Sequence, residues 1–251
     1  MKLRSAQAFY RFLLPAGLAG LVAIAVVAAT HSARPPALLY YGTQSGDQTF
    51  DADADGGNPF ASALIEALAR PRLGLAELGP ALRELTSAKS SGQQTPEVPL
   101  RGVSASWPLL LPAADDSRIA LVLVVSDYAM SGGAPSLPGV RHDAQRVTFA
   151  LRQAGFVTEI ALDLDLKATR QRLAAFRERS WGADTALVYS TGHGVEVGGQ
   201  VFLLPGDYPT GQRNAALTSR AIRLAEVVEA AQARRANLVL YAGCRDNPFG
   251  N

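Results

Sequence analysis

The sequence predicts an α/β fold built on a mostly parallel sheet with helices on both faces. Three observations carry that expectation. The run from Ile119 to Val125, IALVLVV, is continuous, apolar and β-branched, as suits a strand covered on both faces. Strand and helix patterns then alternate through the C-terminal half, which lays successive strands side by side in parallel. Finally, 48% of the 251 residues are hydrophobic and 18% are charged, enough for one sizeable core and too apolar for a disordered chain.

The first 33 residues read as a leader. Lys2, Arg4 and Arg11 precede an uncharged stretch from Phe12 to Ala29, the charged-then-apolar layout of a signal peptide or a membrane anchor. Val27-Ala28-Ala29 offers small residues to a signal peptidase, while 18 residues are just enough to span a bilayer as a helix, so both readings stand. Either implies export. Only three basic residues, Lys2, Lys89 and Lys167, are lysine, a bias associated with GC-rich bacterial genomes. The expected place is the periplasm, free or anchored at the inner membrane and facing it.

The rest, 34–251, is expected to form one domain. Ala37 to Tyr41 reads as a buried strand. Asn58 with Pro59 opens a helix bearing Phe60, Leu64, Ala67 and Leu68, and a second helix holds Leu75, Leu78, Leu82 and Leu85. Val98 to Val103 suits a short strand, and Ser104 to Ser117, with Pro108 and Pro112, a connector. After the strand from Ile119, a Gly- and Pro-rich loop over 131–139 leads to a helix from His142 to Ala154, which Gly155 ends. A strand follows at Val157 to Leu162, a helix at Leu166 to Arg179, and a strand at Thr185 to Ser190. Thr218 or Ser219 is expected to cap a helix running to Ala233, ahead of the strand Ala236 to Tyr241.

Charge and cysteine usage exclude whole classes of function. The net charge is +2, yet Lys2, Arg4, Arg11 and Arg34 fall in the first 34 residues without an acid, so the remainder carries −2 and no nucleic-acid footprint. The single cysteine, Cys244, rules out an intramolecular disulfide and any multi-cysteine metal site. It is therefore either filler or a nucleophile.

Functional groups in open parallel sheets collect at the carboxyl ends of the strands. One strand runs into Thr191-Gly192-His193-Gly194 and the next into Ala242-Gly243-Cys244-Arg245. If these strands pair, their ends lie about 5 Å apart and the imidazole can approach the sulfur. A free thiol, with a pKa of about 8.5, is mostly protonated at neutral pH, and an adjacent imidazole supplies the thiolate and later protonates the leaving amine. Gly194 leaves room for a backbone N–H aimed at a developing oxyanion, with the N–H of Cys244 as second donor.

TGHG and AGCRDNPF, with His193 standing 51 residues before Cys244, resemble the catalytic motifs of the caspase and metacaspase superfamily. The resemblance covers 37–251. Pro138-Gly139-Val140-Arg141-His142-Asp143-Ala144 is similar to a bacterial metacaspase-like stretch ending Asn-Asp-Ala, with His142 where asparagine is usual. Tyr41-Gly42-Thr43-Gln44-Ser45-Gly46 and Asp55-Gly56-Gly57-Asn58-Pro59-Phe60 look like the small-subunit portion that ordinarily follows the cysteine and here precedes it. The resemblance thus implies a three-layer caspase-like fold on a six-stranded sheet, circularly permuted: a small-subunit-like part at 36–104, a connector at 105–117 and a large-subunit-like part at 118–251. It implies Cys244 as nucleophile, His193 as base and acid, and a substrate pocket at Asp143 and Ala242. Relatives that cleave after Arg or Lys carry an acid at both of the latter positions, so Ala242 halves the charge.

Other signals carry less. Asp51-Ala52-Asp53-Ala54-Asp55-Gly56 mimics an EF-hand opening, but its twelfth position is Ser62, not glutamate. The loop at 131–139 lacks the Gly-Lys-Ser/Thr ending of a nucleotide-binding loop. His31 and His142 have no evident ligand partners. No cofactor is expected, although some metacaspases that this chain resembles respond to calcium. The expected function is a cysteine endopeptidase acting on protein or peptide substrates, after Arg or Lys, without cleavage between its two parts. The alternative is a silent caspase-fold protein that binds peptides as a scaffold of the cell envelope. The sequence leaves the oligomeric state open.

Overall fold

The elements run β1 (Leu38–Tyr41), α1 (Pro59–Leu68), α2 (Leu75–Lys89), β2 (Arg118–Val124), α3 (Pro138–Gln153), β3 (Val157–Leu162), α4 (Leu166–Ser180), β4 (Thr185–Thr191), β5 (Gly194–Val197), β6 (Gln200–Leu203), α5 (Leu217–Arg220), β7 (Ile222–Arg223), α6 (Leu224–Ala230) and β8 (Ala236–Tyr241). The computed structural model describes residues 34–70, 73–99, 116–129, 134–209 and 216–248. The leader, most of the connector and part of the 131–139 loop lie outside the described residues. Five strands form one sheet in the order β1-β8-β4-β2-β3, and every pairing is parallel.

The period of two along each strand divides the core. Ala120, Val122, Val124, Leu187, Tyr189, Leu238 and Leu240 point to one face, where α1, α2 and α3 contribute Phe60, Leu64, Leu78, Leu82, Val147 and Leu151. Leu121, Leu123, Ala186, Val188, Val239 and Tyr241 point to the other, against Leu173 and Phe176 of α4 and Leu224 and Val227 of α6. Central strands apolar on both faces are what makes the run from Ile119 so continuous.

Two helices depart from the sequence expectation. α3 starts at Pro138 rather than at His142, because Pro138 supplies the fixed φ of a first helical position and the remote Asp51 carboxylate accepts from the N–H groups of Gly139 (3.2 Å) and Val140 (3.1 Å). The helix expected from Thr218 to Ala233 is broken. Ile222 and Arg223 instead pair with Leu203 and Phe202, and α6 begins only at Leu224, where the Glu226 carboxylate accepts from the Arg223 N–H. The described residues hold five strands of the main sheet, not six: Glu97 makes an isolated antiparallel bridge to Tyr41, and residues 100–103 lie outside the described residues. A hairpin not foreseen, β5–β6, turns at Gly198 and Gly199, both at positive φ as a two-residue hairpin turn requires.

Candidate functional site

The site lies at the carboxyl edge of the sheet. β4 and β8 are neighbours with Ser190 opposite Tyr241, so the chain leaves them side by side: His193 follows β4 by two residues and Cys244 follows β8 by three. Both line a cavity of about 400 Å³, together with Gly194 and Ala242. Its other walls come from far along the chain: Gln48, Thr49, Phe50, Asp51 and Asn58 after β1, Pro135, Leu137 and Val140 around the start of α3, and Asp246 beyond Cys244.

His193 is held on three sides. Its backbone N–H donates to the Tyr128 hydroxyl (2.8 Å), and the two rings lie 4.6 Å apart. Nε2 lies 2.8 Å from the Pro135 carbonyl. A carbonyl only accepts, so this contact places the ring proton on Nε2 and leaves the Nδ1 lone pair free in the neutral imidazole. Tyr128 is fixed in turn by the carbonyls of Val125 and Leu204, to which its hydroxyl lies within 3.3 Å, and burial holds its own phenol well above the usual tyrosine range.

Cys244 is partly exposed. The Thr49 N–H points at Sγ from 3.4 Å, and the Thr49 hydroxyl lies 3.6 Å from it. The loop after β1 is stitched to the cysteine segment: Gly42 N–H donates to Tyr241 O, Gly46 N–H to Arg245 O and Arg245 N–H to Asp47 O. Arg245 locks the arrangement from below. Its guanidinium stacks 3.8 Å over Tyr41, reaches Glu196 (2.8 Å) and Glu97 (2.5 Å), and donates to the Thr43 carbonyl. Charge-assisted bonds of this kind, 94% shielded from water on the arginine side, join three segments distant in sequence around the thiol.

Gly194 pairs with Leu203, while the Leu204 N–H donates to the His193 carbonyl (2.9 Å). Alternate residues bond in an antiparallel ladder, so the Gly194 N–H is turned away from β6. The same glycine backs onto the Cys244 carbonyl, from which a Cβ at 194 would stand 2.6 Å.

Of the five sequence-derived site residues, four meet at the cavity and Asp143 does not. Its carboxylate is wholly buried behind Asn58, accepting from the Asn58 N–H (2.8 Å) and pairing with Arg146 (3.2 Å). The Asn58 side chain stands between, donating to the Phe50 carbonyl (2.7 Å) and accepting from the Phe60 N–H at the start of α1. The carboxylates that do line the cavity are Asp51 and Asp246, and no arginine or lysine does so among the described residues. Among those residues no group of three His, Cys, Asp or Glu side chains is gathered to hold a metal ion.

Burial pushes the Asp143 carboxyl up to about 7, against the pull of the Asn58 N–H and Arg146. Unfolded, it titrates near 3.9. Between those values the native state keeps a proton that the unfolded chain has released, so this group's contribution to stability falls as pH rises from about 4 to 7 and is flat above. The span corresponds to on the order of 4 kcal/mol. Asp143→Asn is expected to remove that slope in urea midpoints measured across the window; an unchanged slope would assign it to another group.

Pro135, Tyr128, Thr49 and Asp51 escaped the sequence reading of the site. Each acts on or through a backbone group or from a distant loop, and the only signal was the proximity of Tyr128 to a strand end. A comparison with the curated proteins finds no match to the chain. Residues 117–247, from the start of β2 to just past Cys244, match the model of the caspase domain, and the chain belongs to that family of cysteine peptidases.

Proposed function

We propose that the protein is an exported endopeptidase in which Cys244 attacks the scissile carbonyl, His193 moves the proton, and cleavage follows Arg or Lys. The observation that carries this reading is that His193 and Cys244 both line one cavity, with Nε2 of the imidazole already committed to Pro135. Nδ1 is then the nitrogen that takes the thiol proton. Sulfur adds to the carbonyl carbon, and the oxyanion is received by the N–H groups of Gly194 and Cys244. His193 returns the proton to the leaving amine, and water, deprotonated by the same imidazole, releases the acid product and restores the thiol.

A cationic P1 residue is favoured by Asp51 and Asp246, the charged groups of the cavity beside His193. Ala242 adds no charge, and Asp143 supports the pocket wall through Asn58 rather than meeting the substrate. The margin over other P1 residues is accordingly modest. A silent peptide-binding scaffold is the second reading, favoured by that enclosure of Asp143.

We also read the chain as circularly permuted and competent uncut. The order β3-β2-β4-β8-β1, with an antiparallel bridge at Glu97 beyond β1, supports equating these with the family's order 2-1-3-4-5-6 in which the last strand is antiparallel. The strand that would match the family's fifth, β1, then precedes the strands that carry His193 and Cys244 instead of following them. In a test with peptides differing only at P1, the Arg or Lys substrate is expected to be cut faster than the Asp one, by a chain that stays a single band on a denaturing gel. Faster Asp cleavage would overturn the pocket reading, and activity arising only after a cut between Ser104 and Ser117 would overturn the uncut one. If neither peptide is cut and a thiol-reactive peptide labels nothing, the scaffold reading stands.

A further inference from the structure

Because the main sheet is wholly parallel, all its amino ends share one edge, opposite the cleft. Arg34 closes this edge beneath β8. Its guanidinium donates to the carbonyls of Gln232 (2.5 Å) and Trp181 (2.9 Å) and lies 3.6 Å over the Trp181 ring, which is nevertheless 53% exposed. Beside it, the loop before β8 puts forward Arg234 and Arg235, with side chains 56% and 55% exposed. Their partners Asp184 and Asp116 lie almost wholly inside, at 9% and 6%. The carboxylates are thus recessed and the guanidiniums face outward, next to a half-exposed indole.

We infer that this edge, formed by Arg34, Trp181, Arg234 and Arg235, rests on a bilayer surface bearing anionic phospholipid headgroups. An outward guanidinium layer meets phosphate, and an indole with one polar atom suits the headgroup boundary. The chain itself points to this occupant. Arg34 follows the last residue of the apolar Phe12–Ala29 stretch by five residues, which reach at most about 18 Å. The inference rests on the reading of that stretch as a retained anchor. It orients the enzyme: strands of six or seven residues set the cleft roughly 20 Å or more from the headgroups, open to water. The substrates it reaches there are water-exposed polypeptide segments, not membrane-embedded ones.

The test uses the full chain with Trp107→Phe, leaving Trp181 as the single indole, in nanodiscs whose lipids carry bromine near the headgroup end of the acyl chains. In discs containing about one-third phosphatidylglycerol, Trp181 emission is expected to fall at least twofold relative to unbrominated discs. It is expected to recover in phosphatidylcholine discs and in the Arg234→Gln/Arg235→Gln variant. Cleavage of a soluble peptide by that variant should stay as in the parent, which shows that it is folded. Trp181 unquenched in anionic discs, or quenched equally in both lipids, overturns the docking surface while leaving the anchor in place. A chain that fails to enter discs at all, or is isolated from its host's envelope without residues 1–33, overturns the anchor reading and this surface with it.

Discussion

Alanine at Cys244 is expected to abolish peptide cleavage, and alanine at His193 to do nearly the same, each by on the order of a thousandfold or more in kcat/KM. In the proposed mechanism the two groups act as one proton-transfer unit, so the double variant should be no worse than either single one. Neither change touches the packing that holds the fold. Cys244 is partly exposed, and His193 gives up only its ring contacts with Tyr128 and Pro135, since its N–H bond to Tyr128 comes from the backbone. Urea midpoints of the variants should therefore lie close to the parent's. Cleavage by Cys244→Ala at the parent rate would remove the thiol from the mechanism. A fall only for His193→Ala would leave a histidine acting on some other nucleophile.

The position of the thiol and the imidazole was legible because both depend on local signals: an apolar β-branched run, then a glycine-flanked polar residue at the strand end. Parallel alternation sets β4 beside β8, and their shared edge does the rest. What was not legible acts across the chain. Thr49 meets Cys244 from 195 residues away, and Asp51 caps α3 from a loop whose acidic spacing only mimics the opening of an EF-hand. The pattern of the Pro138–Ala144 stretch pointed to a pocket carboxylate at Asp143, but a one-dimensional match carries no information on what stands in front of it, and here Asn58 does.

The broken helix at 218–233 shows the same limit from the other side. Ile222, Leu224, Val227 and Val228 fit a helical face, and the first of these fits a strand edge equally well. The hairpin β5–β6 decides between them by offering Leu203 and Phe202 as partners. That hairpin had its own signal in Val197-Gly198-Gly199-Gln200, a two-residue glycine turn between alternating apolar positions. The consequence reaches the site, because β6 is the strand against which Gly194 is set.

Gly194→Ala is the second substitution expected to have a large effect. The added Cβ would fall inside the Tyr241 hydroxyl and 2.6 Å from the Cys244 carbonyl. Tyr241 cannot move aside: it is fully buried, and its hydroxyl lies 3.3 Å from that same carbonyl. The strain must therefore shift the backbone at Gly243 and Cys244, which carries both the thiol and one of the proposed oxyanion donors. Overpacking of this kind costs about 1–3 kcal/mol of stability. Displacing a reacting group by about 1 Å costs on the order of a hundredfold in rate. Adding Tyr241→Phe removes the hydroxyl but not the carbonyl contact, so the pair Gly194→Ala/Tyr241→Phe is expected to regain most of the urea midpoint and little of the kcat. Full activity in Gly194→Ala would mean that the backbone beside Cys244 has no part in receiving the oxyanion.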